Sequence, residues 1–405
     1  MAGRAIMMVT AGAARSAQIM EFHDLEQDMT AWRHDFHAHP ELGFAEHRTS
    51  ARIAELLESF GIEVHRGIGQ TGVVGVLQRG NGSVSIGLRA DMDALPLGET
   101  GTPAYKSSHD GVMHACGHDG HTSMLLGAAK YLAEAGDFNG RVVFIFQPNE
   151  EHGEGAPAMI ADGLFERFAV DAVYAMHNIP GMPAGHFATR AGAMTASESL
   201  FEITVTARGG HAALPHMGVD AILVGSEMVT ALQTIVSRKL DPAQNGVVSV
   251  TEFITDGRRN VLPGTAIMRG DARALTPQTN AAIEANMRRI ATGIAAMHDV
   301  DISVSYDTIF PALPNDANAV TMASKAARDV AGSDAVNADC DPKLFSEDFA
   351  HMARAVPGCF MLIGNGTEGA AAQPLHSTDY DFNDAILVPG ARYISRLVEM
   401  SMPTE

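Results

Sequence analysis

The sequence predicts an α/β protein with a mainly parallel sheet, interrupted by an inserted α+β unit. Three observations predict it. Strand-length apolar runs alternate with helical segments over the first half of the chain, as in βαβ units. Near residue 195 the pattern changes to β-α-β-β-α-β, the split βαβ order of a small ferredoxin-like unit. After Pro311-Ala312-Leu313-Pro314 the α/β character returns. A chain of 405 residues is also long for one core, so two domains are expected.

The elements follow in order. Helical periodicity runs over about 24–38 and 46–60, either side of the break His39-Pro40-Glu41-Leu42-Gly43. Two strand-like runs come next, Val73–Leu77 and Val84–Leu88, and the second runs directly into Arg89-Ala90-Asp91-Met92-Asp93. An Ala/Leu-rich helix is expected over 121–133, ending near Gly136. Arg141–Phe146 reads as a strand buried on both faces, and Val170–Met176 as another. In the inserted unit, Leu200–Thr206 alternates apolar and polar like a half-exposed strand. A helix over 219–238, strands near 246–254 and 264–273, a helix over 277–297 and a strand near 300–306 complete it. The division expected is an extension over 1–20, a first catalytic segment over 21–195, a lid and dimerisation unit over 196–310, and a second catalytic segment over 311–405.

Composition excludes several classes. The chain is 46% hydrophobic and 19% charged, which is globular, and carries a formal charge of −20. Such acidity disfavours nucleic acid and anionic membranes as partners. Three cysteines cannot build a disulfide framework and suit a reducing, cytoplasmic setting. No apolar run approaches the roughly 20 residues of a membrane span. The first 19 residues, with Arg4 and Arg15, are too Ala/Gly-rich to read as a signal peptide. A disordered extension, or a start at Met20, is expected instead.

Chemistry concentrates in His114-Ala115-Cys116-Gly117-His118-Asp119-Gly120-His121. Cys116 and His118 stand two apart and can reach one metal from a single turn. Glu150-Glu151, His177 and His376 each follow an apolar run in a short polar break. In parallel sheets such carboxyl-terminal positions hold functional groups. A pair of divalent ions can share one water and lower its pKa. Cys116 suits the bridging anion, and His118, Glu151, His177 and His376 suit the private ligands. Adjacent Glu150 and Glu151 point different ways, so one can ligate while the other serves as acid/base. His34, His37 and His39 read as a helix end. His114, His121 and His216 read as supporting or structural.

Taken together, Arg89–Pro96, His114–His121, Gln147-Pro148-Asn149-Glu150-Glu151, Gly209-Gly210-His211-Ala212-Ala213 and Asn260-Val261-Leu262-Pro263 closely resemble the M20 metallopeptidase family. Within it they resemble the amidohydrolase branch acting on N-acyl amino acids. The resemblance covers about residues 24–400, with the motifs in order. It implies a homodimer or higher oligomer formed through the lid and two divalent ions per subunit, Mn or Zn first and Co or Ni as alternatives. The implied ligands are Cys116, His118, Glu151, His177 and His376, with Glu150 as general base and then acid. Asp93 would orient a ligand, and Asp91 is left in a supporting place beside the metals. His211 would help hold the oxyanion, often across to the partner subunit. Asn260 would contact substrate, and Arg273 could clamp a substrate carboxylate. Asn149 replaces the usual Ala, Gly264 stands where an acidic residue is common, and Thr378 follows Ser377 where proline is frequent. None of these removes a ligand.

The implied reaction is hydrolysis of an N-acyl or N-aroyl amino acid to a carboxylic acid and a free amino acid. A dipeptidase or a biosynthetic N-acetyl deacetylase is the alternative within the family. Two readings come from other classes. A metal-free cysteine hydrolase would make Cys116 the nucleophile and leave Glu150-Glu151 unexplained. A non-catalytic amino-acid or peptide binder would leave the complete ligand set unexplained.

Overall fold

In the computed structural model, residues 22–404 are described; the extension expected over 1–20 lies outside them. An eight-stranded sheet forms the larger layer. Its spatial order is Glu63–Ile68, Gly72–Arg79, Gly140–Gln147, Ser85–Asp91, Ala172–Pro180, Gly358–Gly366, Phe187–Ala188 and Val336–Asn337. The four central strands, Gly140–Gln147 to Gly358–Gly366, run parallel. The strands Glu63–Ile68 and Gly72–Arg79 join antiparallel at one edge. The first of these edge strands carries Glu, His and Arg and lacks an apolar run, so periodicity does not reveal it.

Ser85–Asp91 and Gly358–Gly366 are buried along their whole length. Helices cover both faces, which explains the unbroken apolar runs. One core gathers Met29, Phe36, Leu125, Phe144 and Leu397; the other gathers Val143, Ile145, Phe349 and Phe360 on the opposite face. A fully buried side chain of this size contributes about 2–3 kcal/mol.

The chain leaves this layer at Ser197 and returns past Phe310. Between them lies a four-stranded antiparallel sheet ordered Gly246–Thr255, Thr265–Ala274, Ser197–Thr206, Asp301–Phe310. Numbered along this unit, the order is 2-3-1-4, that of a split βαβ unit. Helices Ala221–Thr234 and Pro277–His298 close its separate core around Val224, Met228, Ile283 and Met287. The first helix is shorter than its sequence pattern, because residues Ile235–Lys239 relax into a π turn. The two crossing segments are pinned together by a short ladder, Gly192–Thr195 against Leu313–Asn315.

His37 has a role the sequence did not reveal. It is fully buried, with Nδ1 2.8 Å from Asp119 and Nε2 3.3 Å from Glu99. It thereby ties the first helix, Phe22–Ala38, to the helix His118–Glu134. Arg33, also buried, adds bonds to Asp384 at 2.7 Å and Asp381 at 3.1 Å. Burial opposes a charged His37, but Asp119 and Glu99 outweigh it and push its pKa up to about 9. The folded value lies above the unfolded one. The linked stability is therefore fully present below about pH 6.5 and lost as pH rises through 9, a fall of up to roughly 3 kcal/mol. Urea midpoints between pH 6 and 10 should show this slope in the native protein and a flatter one in His37→Gln. Equal slopes would remove His37 as the source.

Candidate metal centre and active site

The sheet delivers the side chains. Asp91 ends its strand, and Glu150 and Glu151 follow the neighbouring strand by three and four residues. His177 stands late on Ala172–Pro180. All lie at the carboxyl ends of parallel strands, where crossover connections leave a crevice. Cys116 and His118 come from the start of the helix His118–Glu134. Its cap, Gly117, has φ 91°. A Cβ there would lie 2.3 Å from Asn178 Oδ1 and 2.7 Å from the Tyr380 hydroxyl, so only glycine fits this turn. His376 is held in the left-handed region, at φ 64°, a conformation rarely adopted by a non-glycine residue. Asn149 has φ 47° and fits beside Gly43, whose missing side chain leaves the room it needs.

The five expected ligands converge. Cys116 Sγ is 3.5 Å from His177 Nε2. Glu151 Oε1 is 3.4 Å from His376 Nε2 and 3.9 Å from His118 Nε2. Cys116, Glu151 and His376 place their ligand atoms within 4.8 Å of one another. His118 and His177 are buried, while His376 is exposed at the rim.

Outer contacts aim these rings. His118 donates from Nδ1 to the backbone oxygen and carboxylate of Asp93, at 3.0 and 3.1 Å, leaving Nε2 bare. Asp93 also accepts the Glu151 N–H at 3.1 Å, so one aspartate touches two of the five. His177 donates from Nδ1 to the Asn178 carbonyl at 2.6 Å and turns Nε2 inward. Such contacts on the far nitrogen set which tautomer faces a metal. Asp91 lies 3.8 Å from His118 Nε2, but its oxygens are engaged by His121 at 2.6 Å and Arg89 at 2.7 Å. His121 also contacts Asn178 at 2.8 Å, so both of its ring nitrogens have protein partners.

These residues fit a divalent cation. His118 Nε2 and Glu151 Oε1 are buried without a hydrogen-bond partner, an arrangement that is costly unless something binds there. Burial opposes protonation of His118, yet Asp91, Asp93 and Glu151 push its pKa up to about 10, so the cavity favours positive charge at that atom. Burial, followed by the repulsion of Glu151 and Glu150, drives the Cys116 thiol well up. A metal reverses that balance, since a coordinating thiol deprotonates. Burial and His121 hold His177 well below its usual range, which keeps it the neutral ring that coordination requires.

Glu150 is buried beside this cluster. Its Oε1 accepts the Asp348 N–H at 3.3 Å, and burial with Glu347 close by raises its pKa well above the carboxylate range. Both glutamates open onto a cavity of about 810 Å³ that also reaches Cys116, His177, His376 and Glu347. Apolar walls come from Ile179, Pro180, Phe310, Leu344, Phe345 and Leu375.

The inserted unit contributes Arg273 and Glu198 to this cavity. Arg273 already bonds Asp271 at 2.8 Å, Ser346 at 2.8 Å and Glu198 at 2.9 Å, so the open bidentate fork expected for a substrate carboxylate is not presented. His211 and Asn260 do not line the cavity. His211 lies on an exposed two-strand ladder and Asn260 in the exposed turn just before it, where Ala212 N–H donates to the Asn260 carbonyl at 3.1 Å. Arg89, Gln147, Glu347 and Asp348 form a buried polar network behind Glu150. Arg89 and Gln147 fall within the motifs that carry the resemblance, and Ser346-Glu347-Asp348-Phe349 matches a family loop expected to support ligands or shape the acyl pocket; the bonds that join these segments are not visible in the sequence.

Comparison with known proteins follows the same outline. Residues 87–400 match the family described as Peptidase family M20/M25/M40. A hippurate hydrolase of Campylobacter jejuni subsp. jejuni is 41% identical over 379 residues, covering 94% of this chain and 98% of its own. An N-acetylcysteine deacetylase of Bacillus subtilis is 35% identical, covering 92% and 96%. The crystal structure of the Bacillus subtilis YXEP protein, described as a dinuclear metal binding peptidase from the M20 family, superposes with a TM-score of 0.81. It is 30% identical and covers 95% of this chain and 100% of that one.

Proposed function

The chain belongs to peptidase family M20/M25/M40, and from that premise we propose how it works as a metal-dependent amidohydrolase of N-acyl amino acids. The observation that carries the reading is the convergence of one thiol, three imidazoles and Glu151 beside a buried Glu150. Cys116, His118, Glu151, His177 and His376 would hold two divalent ions, with Mn or Zn fitting the mixed sulfur, nitrogen and oxygen donors. Ions bound there supply Lewis-acid polarisation of the amide carbonyl and acidify water. Glu150 takes the proton of the attacking water as its oxygen bonds the amide carbon. It then returns that proton to the nitrogen as the C–N bond breaks. The products are a carboxylic acid and a free amino acid.

Apolar walls made by Phe310, Leu344 and Phe345 suit an apolar or aromatic acyl group. His211 and Asn260, exposed and away from this cavity, would serve the active site of a second copy and stabilise the developing oxyanion there. Support for a dimer comes from the inserted unit. The strand Gly246–Thr255 is an uncovered sheet edge, and Phe253 and Ile254 on it and Ile222 and Leu223 on the helix Ala221–Thr234 are exposed. The three cysteines are all free, which suits a cytoplasmic setting. Among the described residues, no helix is long and apolar enough to cross a membrane.

A panel of N-acetyl, N-benzoyl and N-indoleacetyl amino acids, assayed with Mn, Zn, Co and Ni, tests the function. Benzoyl or indoleacetyl substrates should exceed acetyl ones by about 10-fold or more in kcat/KM, as several buried methylene equivalents allow. A preference for unblocked dipeptides would favour the dipeptidase reading.

A further inference from the structure

Glu150 reaches a partner that lies far along the chain. Its Oε1 accepts the backbone N–H of Asp348 at 3.3 Å, across 198 residues of sequence. Asp348 is itself held from several sides. Gln147 Nε2 donates to both carboxylate oxygens, at 2.8 and 2.9 Å. Arg89 Nη2 donates at 3.0 Å and the Ala156 N–H at 2.9 Å. Arg89 is then fixed by Gln147 Oε1 at 2.8 Å, Asp91 at 2.7 Å and Glu347 at 2.9 Å. The Gln147 amide thus bridges Arg89 and Asp348 with both of its ends.

The whole network is buried. Its energetics do not favour a purely stabilising role. One guanidinium faces three carboxylates, and well-packed apolar residues commonly stabilise such a position better than buried ions do. What the network achieves is geometric. It ties the loop before the helix Phe349–Ala355 to the ends of two central strands, one of which leads into Glu150. The carboxylate that must meet both water and the leaving nitrogen is aimed by that loop.

We propose that Asp348 is a positioning residue for Glu150, locked in place by Gln147 and Arg89. This inference rests on the reading of Glu150 as the acid/base. An acid/base displaced by about 1 Å can lose roughly 100-fold in rate. Asp348→Asn keeps the shape but replaces one of the two oxygens that accept from three donors. It is expected to lower kcat by about 10- to 100-fold, with KM changed less than about threefold and bound metal unchanged.

The deciding measurement is a double-mutant cycle with Glu150→Gln, read with metal content and melting temperature. If Asp348 acts through Glu150, then Asp348→Asn adds no further loss to the residual rate of Glu150→Gln. An equal loss in both backgrounds, a loss that tracks departing metal, or full activity of Asp348→Asn would each overturn the proposal. Full activity of Glu150→Gln would overturn the acid/base reading together with it. A dead Glu150→Gln beside a fully active Asp348→Asn would overturn the positioning role alone. Should Asp348→Asn fail to fold, Gln147→Met removes the bridging amide and carries the same cycle, with the same expected pattern.

Discussion

Glu150→Gln is expected to abolish turnover almost completely, by about 10²–10⁴-fold, while the protein keeps its metal and its fold. The substitution is nearly isosteric, and an amide can still accept the Asp348 N–H. What it loses is the capacity to take a proton from water and return it to nitrogen. The converged ligands beside it are left intact, so metal content by atomic spectroscopy should match the native protein. KM should change little, because Glu150 acts on the reacting atoms more than on the substrate's ends. Turnover within about threefold of native would sink the acid/base assignment. Loss of metal together with activity would instead place Glu150 among the ligands.

The second large effect concerns metal itself. His118→Asn should lower metal affinity by at least about 100-fold, beyond the 10- to 100-fold typical of a supporting residue around a metal. Its Nε2 is buried without a hydrogen-bond partner, and Asp93 fixes the ring so that this atom faces Glu151. The readout need not involve substrate. A ligand that binds only the folded state stabilises it by RT ln(1 + [L]/Kd), about 2.7 kcal/mol at 100 times Kd. Titrating Mn or Zn into chelated native protein should therefore raise Tm by several degrees, and His118→Asn should show little rise at the same concentrations. An equal rise in both would move the metal away from His118.

Much of this protein was legible before folding. The central strands are buried on both faces by helices, so they read as unbroken apolar runs, as in Arg141–Phe146. The inserted unit alternates instead, as its Ser197–Thr206 strand shows, because one of its faces meets solvent. The edge strand Glu63–Ile68 was not legible, since it is half exposed and takes its place from pairing with Gly72–Arg79. In the site, Cys116 and His118 share one turn, and Glu150-Glu151 are adjacent. Their grouping is local and shows in the spacing.

Other parts depend on contacts between distant segments. From sequence Arg273 could either clamp a substrate carboxylate or form a salt bridge, and the fold surrounds it with Asp271, Glu198 and Ser346. His37 was expected merely to end a helix, and packing buries it against Asp119, 82 residues away. The hold of Asp348 on Glu150 likewise joins a loop to a strand end that no sequence periodicity relates.

By itself, then, the sequence determined the alternation of strands and helices, the change of pattern near residue 195 and the residue types that can seek a metal. Each of these follows from residue type and short-range spacing, through burial, helix period and ligand chemistry. The tertiary structure decided which carboxylate faces which imidazole, which charges neutralise one another, and what aims the acid/base. Those outcomes depend on distances between residues remote in the chain, where burial multiplies the strength of each polar contact and no local pattern records it.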